Sequence, residues 1–435
     1  MKWPVVKISK VRNAIGTRDP RRTPDAFFKY VDISGIDRES KTISTATAYI
    51  GSDAPGRARQ EILSNDILVS TVRPNLNAVA MVPPELDGEI ASTGFCVLRA
   101  NLKAILPKFL FYFTQTQPFI ESLLAQMRGA NYPAVTDRNV YECKIPLPPF
   151  SEQRKIVEIL DQADALRRKG KEADDKASRI LTALFYKMFG DPATNPMGWK
   201  VEILKDAFSL IGGGTPSKNN PAFWEGTIPW VSPKDMKGKE IFDTIDHISE
   251  QALQNSSTNL AREKSVLIVY RSGILAHSFP CAIARKTVAL NQDMKALYPK
   301  NDEYEPSFIF GWLQAAFPIV MACVKKGATV QNVDGNRFQG LKVIKPPKEL
   351  QHAFDRALVD ILESEKSREA QGYKVQLLFS TLLHRAFAGA LTAGWREKNS
   401  AKLEAELSAQ LKAIEGENTI NRKSRDTTRE SARKA

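Results

Sequence analysis

The 435-residue sequence is poor in the residues that build redox and metal sites. Its four cysteines, Cys96, Cys143, Cys281 and Cys323, are too far apart to form a CxxC pair, and four scattered histidines form no ligand cluster beside them. A zinc site is therefore not expected. Residues 1–4 are not followed by the apolar core of a secretion signal, so we expect a cytoplasmic protein with reduced thiols.

Long hydrophobic runs are also scarce. The best candidate for a membrane span, from Phe308 to Val324, is shorter than the roughly 20 residues of a membrane helix and contains Gln314 and Pro318. The corresponding stretch of the internal repeat described below is polar and includes Glu121 and Arg128. The pattern therefore predicts a buried helical hairpin, and no membrane partner is expected.

Two motifs that resemble catalytic sequences lack the residues that the chemistry needs. Leu147-Pro148-Pro149-Phe150 is similar to the catalytic tetrapeptide of amino-group DNA methyltransferases, but Leu147 cannot accept a hydrogen bond from a target amino group. The glycine-rich segment from Gly212 to Lys218 lacks the spacing of a phosphate-binding loop. Since no other catalytic signature stands out, we predict that the chain alone is not an enzyme and has no catalytic or metal-binding residues.

The charge of the protein is unevenly distributed. Lys and Arg outnumber Asp and Glu by 62 to 49, which gives a formal net charge of +13. Residues 1–150 hold 19 basic and 14 acidic side chains, and residues 191–348 hold 19 and 15. Residues 151–190 and 349–395 together contribute a net charge of only +1. Two basic regions on a nearly neutral framework favour a polyanionic partner such as nucleic acid.

The sequence contains an internal repeat with an offset of 198 residues. Several residues recur at this spacing, namely Gly129-Ala130 as Gly327-Ala328, Val135 as Val333, Lys144 as Lys342, Pro148-Pro149 as Pro346-Pro347, and Gln153 as Gln351. Each copy begins with short strand-like runs separated by turn residues. A Pro-Pro pair then precedes a long proline-free stretch, which indicates a helix.

The two helical stretches have apolar residues at steps of three and four. From 151 to 187 the first helix would be about 55 Å long at 1.5 Å per residue, and its counterpart would span about 349 to 388. A helix of this length needs a partner, so the spacing favours an antiparallel pair of the two. Two separate helical hairpins remain the alternative.

The basic regions contain polar and aromatic residues suited to DNA. Arginine pairs with guanine, Asn or Gln with adenine, and Lys with phosphate. For each residue a solvated loop is the alternative interpretation. The candidates are Arg57, Arg59, Arg73, Asn75, Asn77, Asn131 and Tyr132 in the first region, and Lys218, Asn219, Lys234, Tyr270, Arg271, Gln331 and Asn332 in the second.

Several motifs together resemble the specificity subunit of type I restriction-modification systems. They are Ile145–Gln153 followed by Ile156–Leu160, Ile211–Lys218, Ile228–Ser232, Tyr30–Ile36 and Asp66–Arg73. With the repeat, the resemblance covers nearly all of residues 1–390. It implies an α+β fold with two tandem target-recognition domains of mixed strands and helices, separated by two long antiparallel coiled-coil helices.

The resemblance also implies the boundaries and partners. The domains would span 1–149 and 191–347, and the spacer helices 150–190 and 348–391. A charged tail, 392–435, lies outside the resemblance and is expected to be flexible, except that Lys402 to Ile414 has the composition of a short helix. Each domain would read one half of a bipartite double-stranded DNA site. Two modification (methyltransferase) subunits would dock on the helices and restriction subunits would join them; S-adenosylmethionine, ATP and Mg would bind to these partners. The helix residues implied in docking or spacing are Glu152, Gln153, Ile156, Leu160, Leu166, Leu184, Gln351, Phe354, Leu358, Ile361 and Leu382.

Two other hypotheses belong to different functional classes. The chain could be a self-sufficient adenine methyltransferase, against which Leu147 argues. It could also be a coiled-coil scaffold without DNA specificity. The recognition-subunit hypothesis predicts salt-dependent binding of bipartite DNA, whereas the scaffold hypothesis predicts that exchanging residues 1–149 leaves the methylated sequence unchanged.

Overall fold

A computed structural model describes residues 1–127, 133–327 and 330–415. The chain forms two compact units. Unit 1 comprises Met1–Gly170 and Gly372–Ala435, and unit 2 comprises Lys171–Gln371. The predicted residues Asn131 and Tyr132 lie outside the described residues, as does the end of the predicted tail, 416–435.

Unit 1 is built around two four-stranded sheets. The first has the order Arg12–Asn13, Phe95–Ala100, Ile67–Ser70 and Val79–Met81, and the second has the order Thr47–Ile50, Phe27–Val31, Ile90–Ser92 and Ala58–Glu61. All four residues of Ile67–Ser70 are buried; Ile67 and Val69 pack into one hydrophobic cluster, and Leu68 packs into another. The remaining elements are strands Val5–Lys7, Ile36–Asp37, Thr42–Ile43 and Lys144–Pro146 and helices Pro107–Phe113, Gln117–Leu124 and Asp137–Glu142.

Unit 2 repeats this architecture. Its larger sheet has the order Phe208–Gly212, Met294–Pro299, Val266–Val269, Cys281–Ala284 and Glu240–Ile241, and its second sheet has the order Asp246–Ile248, Ile228–Val231, Val288–Leu290 and Leu260–Ala261. In both units the two central strands of the second sheet are parallel. The remaining elements are strands Lys200–Ile203, Arg271–Ser272, Val324–Lys325, Gln331–Val333 and Lys342–Lys345 and helices Leu204–Ala207, Glu250–Gln254, Pro306–Ala315, Phe317–Met321 and Gly335–Gln339.

The common architecture confirms the repeat that the sequence predicts. The predicted hairpin between Phe308 and Val324 is also present as helices Pro306–Ala315 and Phe317–Met321, and Phe308 and Trp312 are fully buried in unit 2. Among the described residues, we find no helix with the length and apolar character needed to cross a membrane.

The two long helical stretches differ in continuity. Helix Lys348–Phe387 runs unbroken for 40 residues. The predicted single helix over 151–187 is wrong at one point, because helix Phe150–Ala177 ends in a turn and a second helix, Ile180–Phe189, follows. At the break, the Ser178 hydroxyl donates to the carbonyl of Asp175 at 2.8 Å. Such bonds from serine to the preceding turn compete with the helical ladder and bend helices.

The two long helical stretches contact each other in both units, and in unit 2 they pack antiparallel. In unit 1 the Arg167 guanidinium lies 4.7 Å from the ring centroid of Phe379. In unit 2, Arg368 pairs with Asp174 at 3.4 Å, and the rings of Phe185 and Phe354 are 5.6 Å apart. Later residues of one helical stretch therefore contact earlier residues of the other, as the antiparallel prediction requires and the separate-hairpin alternative does not.

In the tail, the short helix expected at Lys402–Ile414 is present, whereas the prediction of flexibility is wrong for residues 392–401. Helix Ala393–Lys398 and a helical segment at 400–415 pack on unit 1, where Leu403 is fully buried. The Glu406 carboxylate accepts hydrogen bonds from the amide and the hydroxyl of Ser151, both at 3.1 Å. Glu406 thus supplies a partner for the start of helix Phe150–Ala177.

All four cysteines are buried as free thiols, and burial raises their pKa values, that of Cys281 to about 12. Because the thiolate is the reactive species, we expect almost no reaction of the native protein with Ellman's reagent at pH 8. The same protein in 6 M guanidinium chloride is the control and should release about four equivalents. Rapid stoichiometric labelling of one thiol in the native protein would contradict the burial of that cysteine.

Candidate nucleic-acid interface

Unit 2 brings two of the predicted clusters together on one small sheet. In this three-stranded sheet, Arg271–Ser272 pairs with Gln331–Val333, which pairs with Val324–Lys325. Arg271 lies directly opposite Asn332, and Asn332 lies opposite Lys325. Residues that are directly opposite in an antiparallel ladder project to the same side. All three are exposed, so the sheet presents a row of two cations and one amide to solvent.

The surroundings of this row are held in place by further contacts. The Lys295 ammonium lies 4.0 Å from the centroid of the Tyr270 ring, and burial lowers the pKa of Lys295. Lys325 pairs with the Asp334 carboxylate at 3.0 Å, and this hydrogen bond lowers the pKa of Asp334. Asp334 also accepts hydrogen bonds from the first amides of helix Gly335–Gln339. The Asp334 carboxylate beside Lys325 is thus already engaged within unit 2.

A cleft of about 690 Å³ in unit 2 gathers two other predicted residues. Lys218 and Lys234 line it together with Trp224, Trp230, Ser232, Pro233, Asp246, Asn291 and Asp293. The carbonyl of Asp293 accepts hydrogen bonds from the amides of Tyr270 and Arg271, at 2.8 and 3.2 Å. The cleft therefore adjoins the strand that carries Arg271. Asn219 is exposed on the loop beside Lys218 and lies outside the lining of this cleft.

The candidates in unit 1 fall into two groups. Arg57, Arg73 and Asn75 are exposed. Arg73 has a left-handed backbone with φ of 49°, which is strained for an arginine, and its amide donates to the carbonyl of Pro133 at 2.9 Å. By contrast, Arg59 pairs with Asp19 at 3.3 Å, and the Asn77 side chain bonds to Lys41 and to the carbonyl of Thr114. Arg59 and Asn77 therefore already have partners within unit 1.

Seven of the helix residues named by the resemblance are buried within their own unit. Leu166 is 49% exposed, and Leu184, Ile361 and Leu382 are half-buried. A partner subunit cannot reach the buried side chains, so their role is to hold the helices against the domains. The seven are Glu152, Gln153, Ile156, Leu160, Gln351, Phe354 and Leu358.

The repeated glutamines show how this holding works. Gln153 accepts a hydrogen bond from the amide of Leu106 at 2.8 Å and donates to the carbonyl of Pro148 at 2.9 Å. Gln351 makes the equivalent bonds, from the amide of Glu305 and to the carbonyl of Pro346, both at 2.9 Å. In each unit the glutamine ties the start of a long helix to the residue that precedes helix Pro107–Phe113 or Pro306–Ala315.

Comparison with known proteins identifies the family. A family model described as the type I restriction modification DNA specificity domain matches residues 2–173 and 196–368. Because these two matches cover most of the chain, the protein belongs to this family, and its α+β fold consists of two tandem copies of the domain. Among the described residues, we find no cluster of three or more His, Cys, Asp or Glu side chains that could hold a metal ion.

Individual relatives agree with this family. The specificity subunit of the type I restriction enzyme EcoR124I/EcoR124II from Escherichia coli is 31% identical over 252 residues, which are 55% of this chain and 59% of that protein. The HindI specificity subunit from Haemophilus influenzae is 22% identical over 414 residues, covering 78% of this chain and 89% of that protein. A chain in a solved structure of a type I R-M system has 29% identity and a TM-score of 0.56, covering 90% of this chain and 98% of that chain.

The sequence did not single out Lys295, Lys325 or Trp224, although all three lie beside predicted residues in unit 2. Lys295 is far in sequence from the ring of Tyr270, so no spacing rule connects them. Lys325 follows the apolar hairpin, where it has the pattern of an ordinary solvated lysine. Only the pairing of three distant strands shows that Lys325 extends the row of Arg271 and Asn332.

Proposed function

We propose that this chain is the non-catalytic DNA-recognition subunit of a type I restriction-modification complex. The observation that carries the proposal is the presence of two copies of the DNA specificity domain, each of which includes most of one basic region of the sequence. Each domain reads one half of a bipartite site, with the polar row and the lysine-lined cleft as the contact surface of unit 2.

The long helices set the spacing between the half-sites and dock two modification subunits, which methylate adenine at N6. Since the apolar seam is buried, docking uses the exposed positions of the helices. In unit 1 these include Tyr373 and Leu377, which are 71% and 53% exposed and lie one helical turn apart. S-adenosylmethionine binds to the modification subunits, whereas ATP and Mg²⁺ serve the restriction subunits.

The functional prediction concerns the methylated sequence. The complex of this chain with its modification subunits should methylate adenines in one bipartite sequence, and the chain alone should not methylate DNA. Replacing residues 1–149 with the corresponding domain of another family member should change one half-site and leave the other unchanged. Genome-wide mapping of N6-methyladenine in cells with the native or exchanged chain measures both half-sites and the spacer.

The map also tests the other functional classes. Sequence-independent methylation by the native complex would contradict the proposal, and an unchanged sequence after the exchange would favour a scaffold. Methylation by the chain without modification subunits would favour an enzyme. Binding of the target DNA by the native complex should weaken steeply with salt, because phosphate contacts release counterions.

A further inference from the structure

The two units carry different side chains at one structurally equivalent position. In unit 1 an isolated antiparallel bridge joins Val72 to Ala134, and the next amide, of Val135, donates to the carbonyl of Thr71 at 2.9 Å. In unit 2 the pair is Arg271 and Asn332, and the amide of Val333 donates to the carbonyl of Tyr270 at 3.0 Å. The same hydrogen-bond pattern therefore surrounds both pairs.

The side chains of the unit 2 pair are available for a ligand. Arg271 and Asn332 are exposed, and neither side chain forms a hydrogen bond or ion pair with another described residue. An exposed polar pair without such contacts contributes little to folding stability. The pair offers a guanidinium fork and an amide side by side, which match the major-groove edges of guanine and adenine.

The unit 1 pair offers the opposite chemistry. Val72 and Ala134 are half-buried and present only aliphatic surface, which can contact the methyl group of thymine but cannot form hydrogen bonds with base edges. The major groove is wide enough for a two-stranded β-ribbon, so a ladder pair is a geometrically suitable reader. The backbone hydrogen bonds at this position are therefore the same in the two domains, whereas the side chains are polar in unit 2 and aliphatic in unit 1.

We infer that this ladder pair is a specificity-determining position of the two domains. Arg271 and Asn332 select a hydrogen-bonding base step in the half-site of unit 2, and Val72 and Ala134 select an apolar contact in the half-site of unit 1. The inference rests on the proposed function and adds the residues that distinguish the two half-sites. Lys325, in the same row, contacts the phosphate backbone.

The test gives unit 2 the side chains of unit 1. With its modification subunits, the double variant Arg271→Val/Asn332→Ala should lose at least about tenfold of its discrimination at one or two base pairs of one half-site, measured by mapping methylated adenines. The other half-site should be unchanged. The conservative variant Arg271→Lys keeps the charge but loses the guanidinium fork, so it should relax the preference for guanine in the same half-site.

A matched control separates base reading from charge. Lys326 is exposed and follows strand Val324–Lys325, but it is not part of the ladder pair. Lys326→Ala removes one positive charge beside the same sheet and should lower the affinity for all sequences without changing the preferred one. A change of the preferred sequence by Lys326→Ala that equals the change by the double variant would overturn the assignment to the ladder.

The reciprocal variant Val72→Arg/Ala134→Asn tests the inference independently if the first double variant does not fold. It should change the preference in the half-site of unit 1 only. Unchanged sequences for Arg271→Lys and for both double variants, in complexes that methylate at the native rate, would refute the inference while leaving the proposed function intact. The proposed function fails separately, if the native complex itself shows no sequence preference.

Discussion

Replacing Glu152 by alanine is expected to lower the free energy of unfolding of unit 1 by about 3–5 kcal/mol. The Glu152 side chain is fully buried and accepts hydrogen bonds from the Thr392 hydroxyl at 2.6 Å, from Arg396 Nε at 2.7 Å and from the Trp3 indole at 2.8 Å. Alanine would leave the Arg396 guanidinium, which is 14% exposed, without its carboxylate. Breaking one member of a buried pair is costly because the remaining charge stays desolvated.

Urea denaturation of the native chain and the variant measures this loss, and hydrogen exchange localises it to unit 1. Glu158→Ala is the matched control, since Glu158 lies in the same helix but is 56% exposed and pairs with Lys155. Exposed pairs of this kind contribute about 0.3–0.5 kcal/mol. Equal effects of the two variants would show that the network around Glu152 does not hold unit 1 together.

A shortened chain tests the same network from its other side. Ending the chain at residue 391 removes Thr392, Arg396 and the fully buried Leu403, so it should destabilise unit 1 at least as much as Glu152→Ala does. A chain that ends at residue 415 retains both partners and also the Ser151–Glu406 contact, which makes it the control. If the two shortened chains were equally stable, residues 392–415 would be a dispensable appendage.

Replacing Gly311 by valine is expected to lower the stability of unit 2 by about 3 kcal/mol. Gly311 lies in the middle of helix Pro306–Ala315, where glycine is normally unfavourable. A Cβ at this position would lie 2.4 Å from Cζ of Phe354 and 3.0 Å from Cδ2 of Phe185, and both rings are fully buried. The absence of a side chain therefore allows the helix to approach the aromatic cluster.

The control is a helical glycine without neighbours. Gly372, in helix Lys348–Phe387, has no atom within 4 Å of a Cβ built on it, so Gly372→Ala should stabilise the protein by about 1 kcal/mol. Phe354→Leu should recover part of the loss in Gly311→Val by making room for the added methyl groups. Equal thermal stability of Gly311→Val and the native chain would show that the contact is relieved by a small helix shift.

The repeat and the helix starts were predictable because they depend on local rules. Pro148-Pro149 and Pro346-Pro347 directly precede helices that begin at Phe150 and Lys348, as expected for residues that stop the preceding strand. Gln153 and Gln351 recur because each satisfies the same two backbone groups in its unit. The recurrence of these residues in the sequence therefore corresponds to the same backbone hydrogen bonds in both units.

The errors lie where a distant segment changes the environment. The helix breaks after Ala177, where the Ser178 hydroxyl bonds to the preceding turn, and the 3–4 spacing does not reveal this break. Residues 392–401 were expected to be flexible, but Thr392 and Arg396 bond to Glu152, more than 200 residues earlier in the chain. Arg59 remains a candidate for DNA contact, and its pairing with Asp19 is likewise a contact that the sequence does not reveal.

The sequence by itself determined the family, the two-copy organisation and the location of the positive charge, because repeats, motifs and net charge are properties of the chain order. Only the tertiary structure decided which polar residues face each other. Sixty residues lie between Arg271 and Asn332 in the sequence, and only strand pairing makes them neighbours. Lys325 lies opposite Asn332 on the next strand. The equivalent pair, Val72 and Ala134, could be matched to them only through the hydrogen bonds of the ladder.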